Sequence, residues 1–235
     1  MTTLPEKTDC ENTTDAKTGP VARSADVLSA PLVPVEGAAL RLRELSHADA
    51  AAVLEIFGDP RTTHCYGSPP LTAADARALI DHARAQARHH PRTFYRLGVA
   101  TRDTDELIGT AKLSLAPPTT DQFIACNHRA AEFGIALGPD HTHAGRSWEI
   151  GHLLGVLAFD RLALHRLWCL LLPTNTPAIR ALDKIGVATK EAHLRHFAYA
   201  EGTWHDMLQY SILEDDWKTL HQNRPMPAMS RPTAN

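Results

Sequence analysis

Two polar loops hold the residue types that could do chemistry. The first, DHTHAGRS, contains Thr142, His143, Ala144, Gly145, Arg146 and Ser147 and runs straight into an apolar-periodic segment. Backbone N–H groups of residues 143–147 would have no intrahelical acceptor there, and with the helix dipole they make a seat for an anion, typically a phosphate. Arg146 adds positive charge, and Gly145 lets the main chain approach such a group closely. The second loop, PTNTP, brings Asn175 and Thr176 ahead of another helical run. Metal chemistry is not expected. Of the fourteen histidines, the close pairs His141/His143 and His89/His90 come with no third ligand at a recognisable spacing. Cys10, Cys65, Cys126 and Cys169 are far apart with no CxxC, which suits reduced thiols in a cytosolic protein.

The elements that position these loops form one βαβα unit over residues 132–187. Residues 132–137 alternate as a strand. Ile150, Leu153, Leu154 and Leu157 then fall at i, i+3, i+4, i+7, which predicts a helix over 147–162 with one apolar face. Residues 167–172 are continuously apolar, as in a strand buried on both sides in the middle of a sheet. A second helix follows, with Thr176 as its expected N-cap, Pro177 at its first position and Gly186 at its end. Gly151 and Gly155 would let the first helix pack closely against a neighbour.

Upstream, residues 40–45 read as a short strand. Two capping boxes follow: Ser46 with Asp49, ahead of Ala50, Val53, Leu54 and Phe57, and Thr72 with Asp75, ahead of Ala76, Leu79, Ile80 and Ala83. Residues 94–101 and 107–115 form a hairpin around RDTDE, the second strand having one core face and one wetter face with Thr110, Lys112 and Ser114. Residues 116–129 read as a long connection, and 194–200 with 204–213 as a closing hairpin. The sum is a mixed sheet flanked by helices in one α/β domain.

Composition bounds the alternatives. With 43% hydrophobic and 22% charged residues the chain has an ordinary soluble globular balance. A net charge of −3 without a basic stripe argues against a nucleic-acid duplex as partner. No apolar stretch is long enough to cross a bilayer, and the start lacks the layout of a signal peptide, so a cytoplasmic location away from membranes is expected. Residues 1–37 are rich in Thr, Ala, Pro and Asp and are expected to be a disordered arm, 38–221 the folded domain, and 222–235 a flexible tail.

Several segments together resemble the GNAT superfamily of acyl-CoA-dependent N-acyltransferases, in particular the Rim-type branch that acetylates ribosomal-protein N-termini. They are AEFGIAL, Glu149 ten residues before Phe159 in a helix ending AFDRLALHR, PTNTPAIRALDKIG, EAHLR, and EGTWHDMLQYSILEDDW, in an order that covers roughly residues 40–220. The resemblance implies a GNAT fold, α/β with a mixed central sheet whose central strands splay apart. It implies acetyl-CoA as co-substrate without a metal, and a primary amine, of a protein N-terminus or a small molecule, as acceptor of a monomer or homodimer.

By position, the resemblance puts backbone donors at Ile135, Ala136 and Leu137 after a bulge, the pyrophosphate loop at residues 142–147, and a cofactor or strand contact at Asn175. Glu132 becomes the candidate general base, its alternative being a strand-end charge paired to Lys or Arg. Tyr199, His193 or His205 becomes a candidate proton donor, the alternative being a thiolate that leaves unassisted, and His64 and Tyr66 become candidate acceptor contacts, the alternative being an ordinary Pro/Gly turn. The loop departs from the family pattern, with Thr142, Gly145 and Ser147 in the frame and His143 where many members have glycine. Ala178 and Leu182 stand where relatives carry Ser or Tyr. These departures leave two other readings: a different acyl donor (a longer acyl-CoA, a carrier-protein thioester or an aminoacyl-tRNA), or a binding module without catalysis.

Overall fold

Local capping sets where the helices begin, and long-range strand pairing sets where they stand. The computed structural model describes residues 32–63, 67–115, 119–121, 124–126, 128–142, 146–200 and 202–223. Strand β1 (Val35–Glu36) pairs antiparallel with β2 (Leu40–Glu44), Val35 opposite Leu42. The folded chain therefore starts before residue 38, the expected boundary, because Val35 is an apolar side chain that the core buries to 1% exposure.

The Asp49 carboxylate accepts the Ser46 N–H at 2.7 Å and leads through a 3₁₀ turn into α1 (Ala50–Gly58). It also takes a two-pronged bond from Arg43 of β2 at 2.9 and 2.8 Å, so the cap ties the helix to the sheet. Burial pushes the Asp49 carboxyl up, but Arg43 and the Ser46 N–H outweigh it and hold it below its ordinary value. After the short α2 (Pro60–Thr63), α3 (Ala73–Ala87) opens with the expected reciprocal box. Thr72 accepts the Asp75 N–H at 3.3 Å, and Asp75 accepts the Thr72 N–H at 2.9 Å.

The remaining elements are β3 (Phe94–Thr101), β4 (Leu107–Leu115), β5 (Thr119–Asp121), β6 (Ile124–Cys126), β7 (Ala130–Leu137), α4 (Ser147–Gly155), β8 (Arg166–Leu171), α5 (Thr176–Ile185), β9 (Thr189–Ala200), β10 (Thr203–Leu213) and α6 (Glu214–Asn223). The main sheet runs β1-β2-β3-β4-β7-β8-β10-β9, and every neighbouring pair is antiparallel except β7 with β8. Strands β5 and β6 pair with each other inside the stretch expected to be a plain connection.

Ile150, Leu153 and Leu154 of α4, with Leu157 just beyond it, cluster with Leu42, Val99, Leu113, Phe133, Leu167 and Tyr210. Residues of α1 and α3 cluster with Leu45, Leu107 and Ala136. Phe133 and Ala136 differ in strand parity, so the two clusters occupy opposite faces of the sheet. Thr110 is accordingly 2% exposed and not on a wet face, since α1 and α3 cover it. Those helices contact β2, β3 and β4, and Trp168 and Leu170 of β8, expected to be buried, are only half-buried.

Helix α4 continues as a π turn over Val156–Arg161, in which the Leu162 N–H reaches the Leu157 carbonyl at 2.9 Å. Its two glycines do pack closely. A methyl group at Gly155 would stand 2.3 Å from Trp217 of α6, and one at Gly151 would stand 3.2 Å from Ile185 of α5. Among the described residues no helix is long and apolar enough to cross a membrane.

Candidate active site

Strands β7 and β8 run side by side but pair only through Ala130↔Arg166, Ala131↔Leu167 and Glu132↔Trp168. Each then stays with its outer partner: β7 keeps register with β4 up to Leu137↔Gly109, and β8 with β10 up to Leu171↔Leu208. The two therefore part, and the sheet opens toward their C-terminal ends. Past Leu137 the chain turns through Pro139–His141 into α4, and past Leu171 it enters α5 at Asn175, so two helix N-termini stand at the open end.

The edge of the opening follows from alternation. The Gly138 N–H donates to the Ile108 carbonyl at 2.9 Å, which fixes the phase of the β4–β7 ladder. The N–H groups of Phe133, Ile135 and Leu137 turn toward β8, and those of Gly134 and Ala136 turn toward β4. The Ala136 N–H is thus corrected as a donor to the opening, because it faces β4; the Phe133 N–H is taken up by the Glu132↔Trp168 pairing with β8, and Ile135 and Leu137 stay on the β8 side. Period-two alternation in the sequence was enough to exclude three consecutive donors on one side. The expected bulge is also absent, as β7 pairs with β4 without a register shift.

At the mouth, Arg146 occupies the N-cap position of α4 with helical dihedrals and no side-chain cap. Its guanidinium lies 3.4 Å from His141 Nδ1, and the Thr142 hydroxyl donates to the Pro139 carbonyl at 3.1 Å. Ser147 is the first helical residue. His143, Ala144 and Gly145 lie outside the described residues, as do His64 and Tyr66. Glu149 in the same first turn accepts the N–H groups of Ala39 and Leu40 at 2.7 and 3.0 Å. That clamp fixes the helix start against the β1–β2 turn, and the sequence signal for it was only the position of Glu149. Asn175, 6% exposed, accepts the Ala178 N–H at 3.2 Å and is the N-cap of α5 in place of Thr176, because its side chain reaches the third amide of the helix. Leu182 is buried in the main core.

At the closed end, Glu132 Oε1 lies 2.7 Å from Lys112 Nζ, with side-chain exposures of 34% and 26%. Behind it, burial pushes the Cys169 thiol up to about 12, with the Glu132 charge adding to the effect, so the thiol stays protonated. Tyr199 is elsewhere. It sits 62% exposed against Trp204 on the β9–β10 hairpin, whose register continues four residues past Leu208, the partner of Leu171. The fold therefore separates Glu132 from Tyr199, at opposite ends of the parted strands. His193 is bonded to Asp206 at 2.8 Å, and His205 Nε2 lies 3.3 Å from the Ala200 carbonyl. A methyl group at Gly67 would stand 3.7 Å from Ala200 and from Leu172, so the chain just after Tyr66 meets the hairpin tip and the end of β8.

Fold and site together define an N-acetyltransferase of the split-sheet α/β class. The chain belongs to the GNAT acetyltransferase family, whose Acetyltransferase (GNAT) domain matches residues 39–188. It is 30% identical over 175 residues to the uncharacterized N-acetyltransferase YoaA of Bacillus subtilis, covering 74% of this chain and 93% of that protein. Among solved structures it resembles a GNAT-family acetyltransferase from Bacillus anthracis (TM-score 0.64, 20% identity, 78% of this chain and 99% of that one). It also resembles a spermidine N-acetyltransferase from Vibrio cholerae solved with CoA and spermine (TM-score 0.62, 20% identity, 76% and 98%).

Proposed function

We propose that this protein transfers an acetyl group from acetyl-CoA to a primary amine, the α-amino group of a protein N-terminus or of a small molecule, by direct attack. The observation that carries the reading is the parting of β7 and β8 with two helix N-termini at the open end. From Leu137 at the mouth to Glu132 is five residues, about 17 Å at the rise of an extended strand. An anion held at α4 therefore reaches the closed end only through a long arm, such as coenzyme A carries.

The residues present fit that group. The first turn of α4 and Arg146 suit the pyrophosphate, and the β8-facing main chain at Leu137, beyond the last β7–β8 pair, suits pairing with the arm as an added strand. Bound acetyl-CoA supplies an activated acyl thioester. The amine nitrogen bonds to the carbonyl carbon as the C–S bond breaks, N–H groups on the parted edge face the developing oxyanion, and Glu132 takes the amine proton directly or through water. The leaving thiolate departs toward the mouth. Asn175 holds the second wall by capping α5.

Calorimetric titration with acetyl-CoA tests the reading. Micromolar binding, followed by thiol release in the presence of amines or N-terminal peptides, is the expected result. No binding at millimolar concentration refutes it and turns attention to a longer acyl-CoA, a carrier-protein thioester or an aminoacyl-tRNA as donor.

A further inference from the structure

The ion pair at the closed end gives Lys112 a role that its sequence position does not reveal. Resting on the reading of Glu132 as base, we infer that Lys112 is a positioning residue that holds the Glu132 carboxylate in the cleft and offsets its charge, so that the acceptor is bound as the neutral amine. Lys112 lies on β4 opposite Gly134, diagonal to Glu132, which is opposite Ser114. A methyl group at Gly134 would stand 3.7 Å from Lys112 Cε, so the lysine stem runs alongside the bare β7 backbone and its Nζ reaches Glu132 Oε1 at 2.7 Å.

A carboxylate alone is a poor partner for an amine that must lose its proton, because an adjacent negative charge stabilises the ammonium form. An acceptor nitrogen within about 3 Å of either Glu132 oxygen comes within about 8 Å of the Lys112 ammonium. That like charge disfavours the protonated acceptor. Other groups around Glu132 come from β3, α3 and β8. Arg96 of β3 shares the row of Lys112 and Gly134 and stands over Phe57 and Phe94 at 6.0 and 5.8 Å. His82 of α3 packs edge-on against Phe94, which shares the row of Ser114 and Glu132. From β8 come Trp168, and Cys169 as a neutral thiol on the opposite face. Among the described residues these rows of β3, β4, β7 and β8 carry no second carboxylate, and Glu191, beyond β8, is paired with Arg166. The closed end suits a single amine of low intrinsic pKa, about 8 for an α-amino group against about 10 for an alkylamine.

The test compares wild type, Lys112→Met, Lys112→Arg and Glu132→Gln on acetyl-CoA with two acceptors, a peptide amide with a free N-terminal alanine and spermidine. Thermal melts confirm that each variant is folded. The wild type is expected to prefer the peptide. K112M should keep its acetyl-CoA affinity within about twofold, lose about tenfold in kcat at neutral pH, and move the acid limb of the kcat profile up by about one pH unit. K112R should restore both. Preference of the wild type for spermidine overturns the inference, as does an unchanged K112M beside an impaired E132Q, or a K112M loss that K112R does not rescue and that leaves the pH profile in place. If E132Q also turns over normally, the base assignment itself fails, and Lys112 falls with it.

Discussion

Substituting Gly155 by alanine tests whether α6 is seated on α4 as described. The added methyl would lie 2.3, 2.4 and 2.8 Å from three carbons of the Trp217 ring, where carbon contacts settle near 3.5–4.0 Å. The ring has little freedom to retreat. It is 5% exposed, stacked on Phe159 at 5.6 Å and tilted against His152 at 5.3 Å, and its indole N–H donates to Asp160 at 3.0 Å. Overpacking costs about 1–3 kcal/mol, and a strained indole hydrogen bond adds about 1 kcal/mol. The gain in helix propensity returns about 1 kcal/mol. The net is a destabilisation of about 2 kcal/mol, or about 4–8 °C in Tm for a domain of this size. Gly151→Ala in the same helix is the control, because its methyl meets only the flexible end of Ile185 at 3.2 Å. That variant should match or exceed the wild type. Urea and thermal unfolding followed by circular dichroism and tryptophan fluorescence measure both. Equal stability of G155A and wild type, or equal losses in the two variants, would refute the packing argument.

Three further outcomes are expected. Glu132→Gln should lower kcat by about 10²-fold or more with acetyl-CoA affinity unchanged by calorimetry, and full turnover would remove Glu132 as base. Arg146→Ala should weaken acetyl-CoA binding by about tenfold, with a reduced dependence on salt, and an unaltered Kd would place the anion elsewhere. The Arg166 guanidinium holds the Glu191 carboxyl down at about 2, below its ordinary 4.5. The pair's stabilisation is therefore complete above pH 4.5 and is lost as the pH falls through about 2. With Glu191 about one-third exposed, Arg166→Met should cost about 1 kcal/mol at pH 6. The cost should vanish near pH 2, as urea melts at the two pH values would reveal.

Much of what is decided within a few residues of chain was legible in the sequence, the exceptions being the cap of α5, which is Asn175 and not Thr176, and the β5–β6 pairing. The Thr72–Asp75 box, the Asp49 cap, the apolar face of α4 and the left-handed Gly186 that ends α5 each depend on spacing of three to seven residues or on one special conformation, and all stand where spacing put them. The order of the motifs was also enough to identify the family. The site needed contacts that leave no spacing behind. Lys112 meets Glu132 across 20 residues, and Glu149 takes the Leu40 N–H across 109. Whether β7 and β8 stay together or part depends on which outer strand each one keeps, a competition among backbone hydrogen bonds that every sequence can make. Only the assembled ladder decides which N–H groups face the opening, so Ala136 was placed on the wrong side until the Gly138–Ile108 bond fixed the phase.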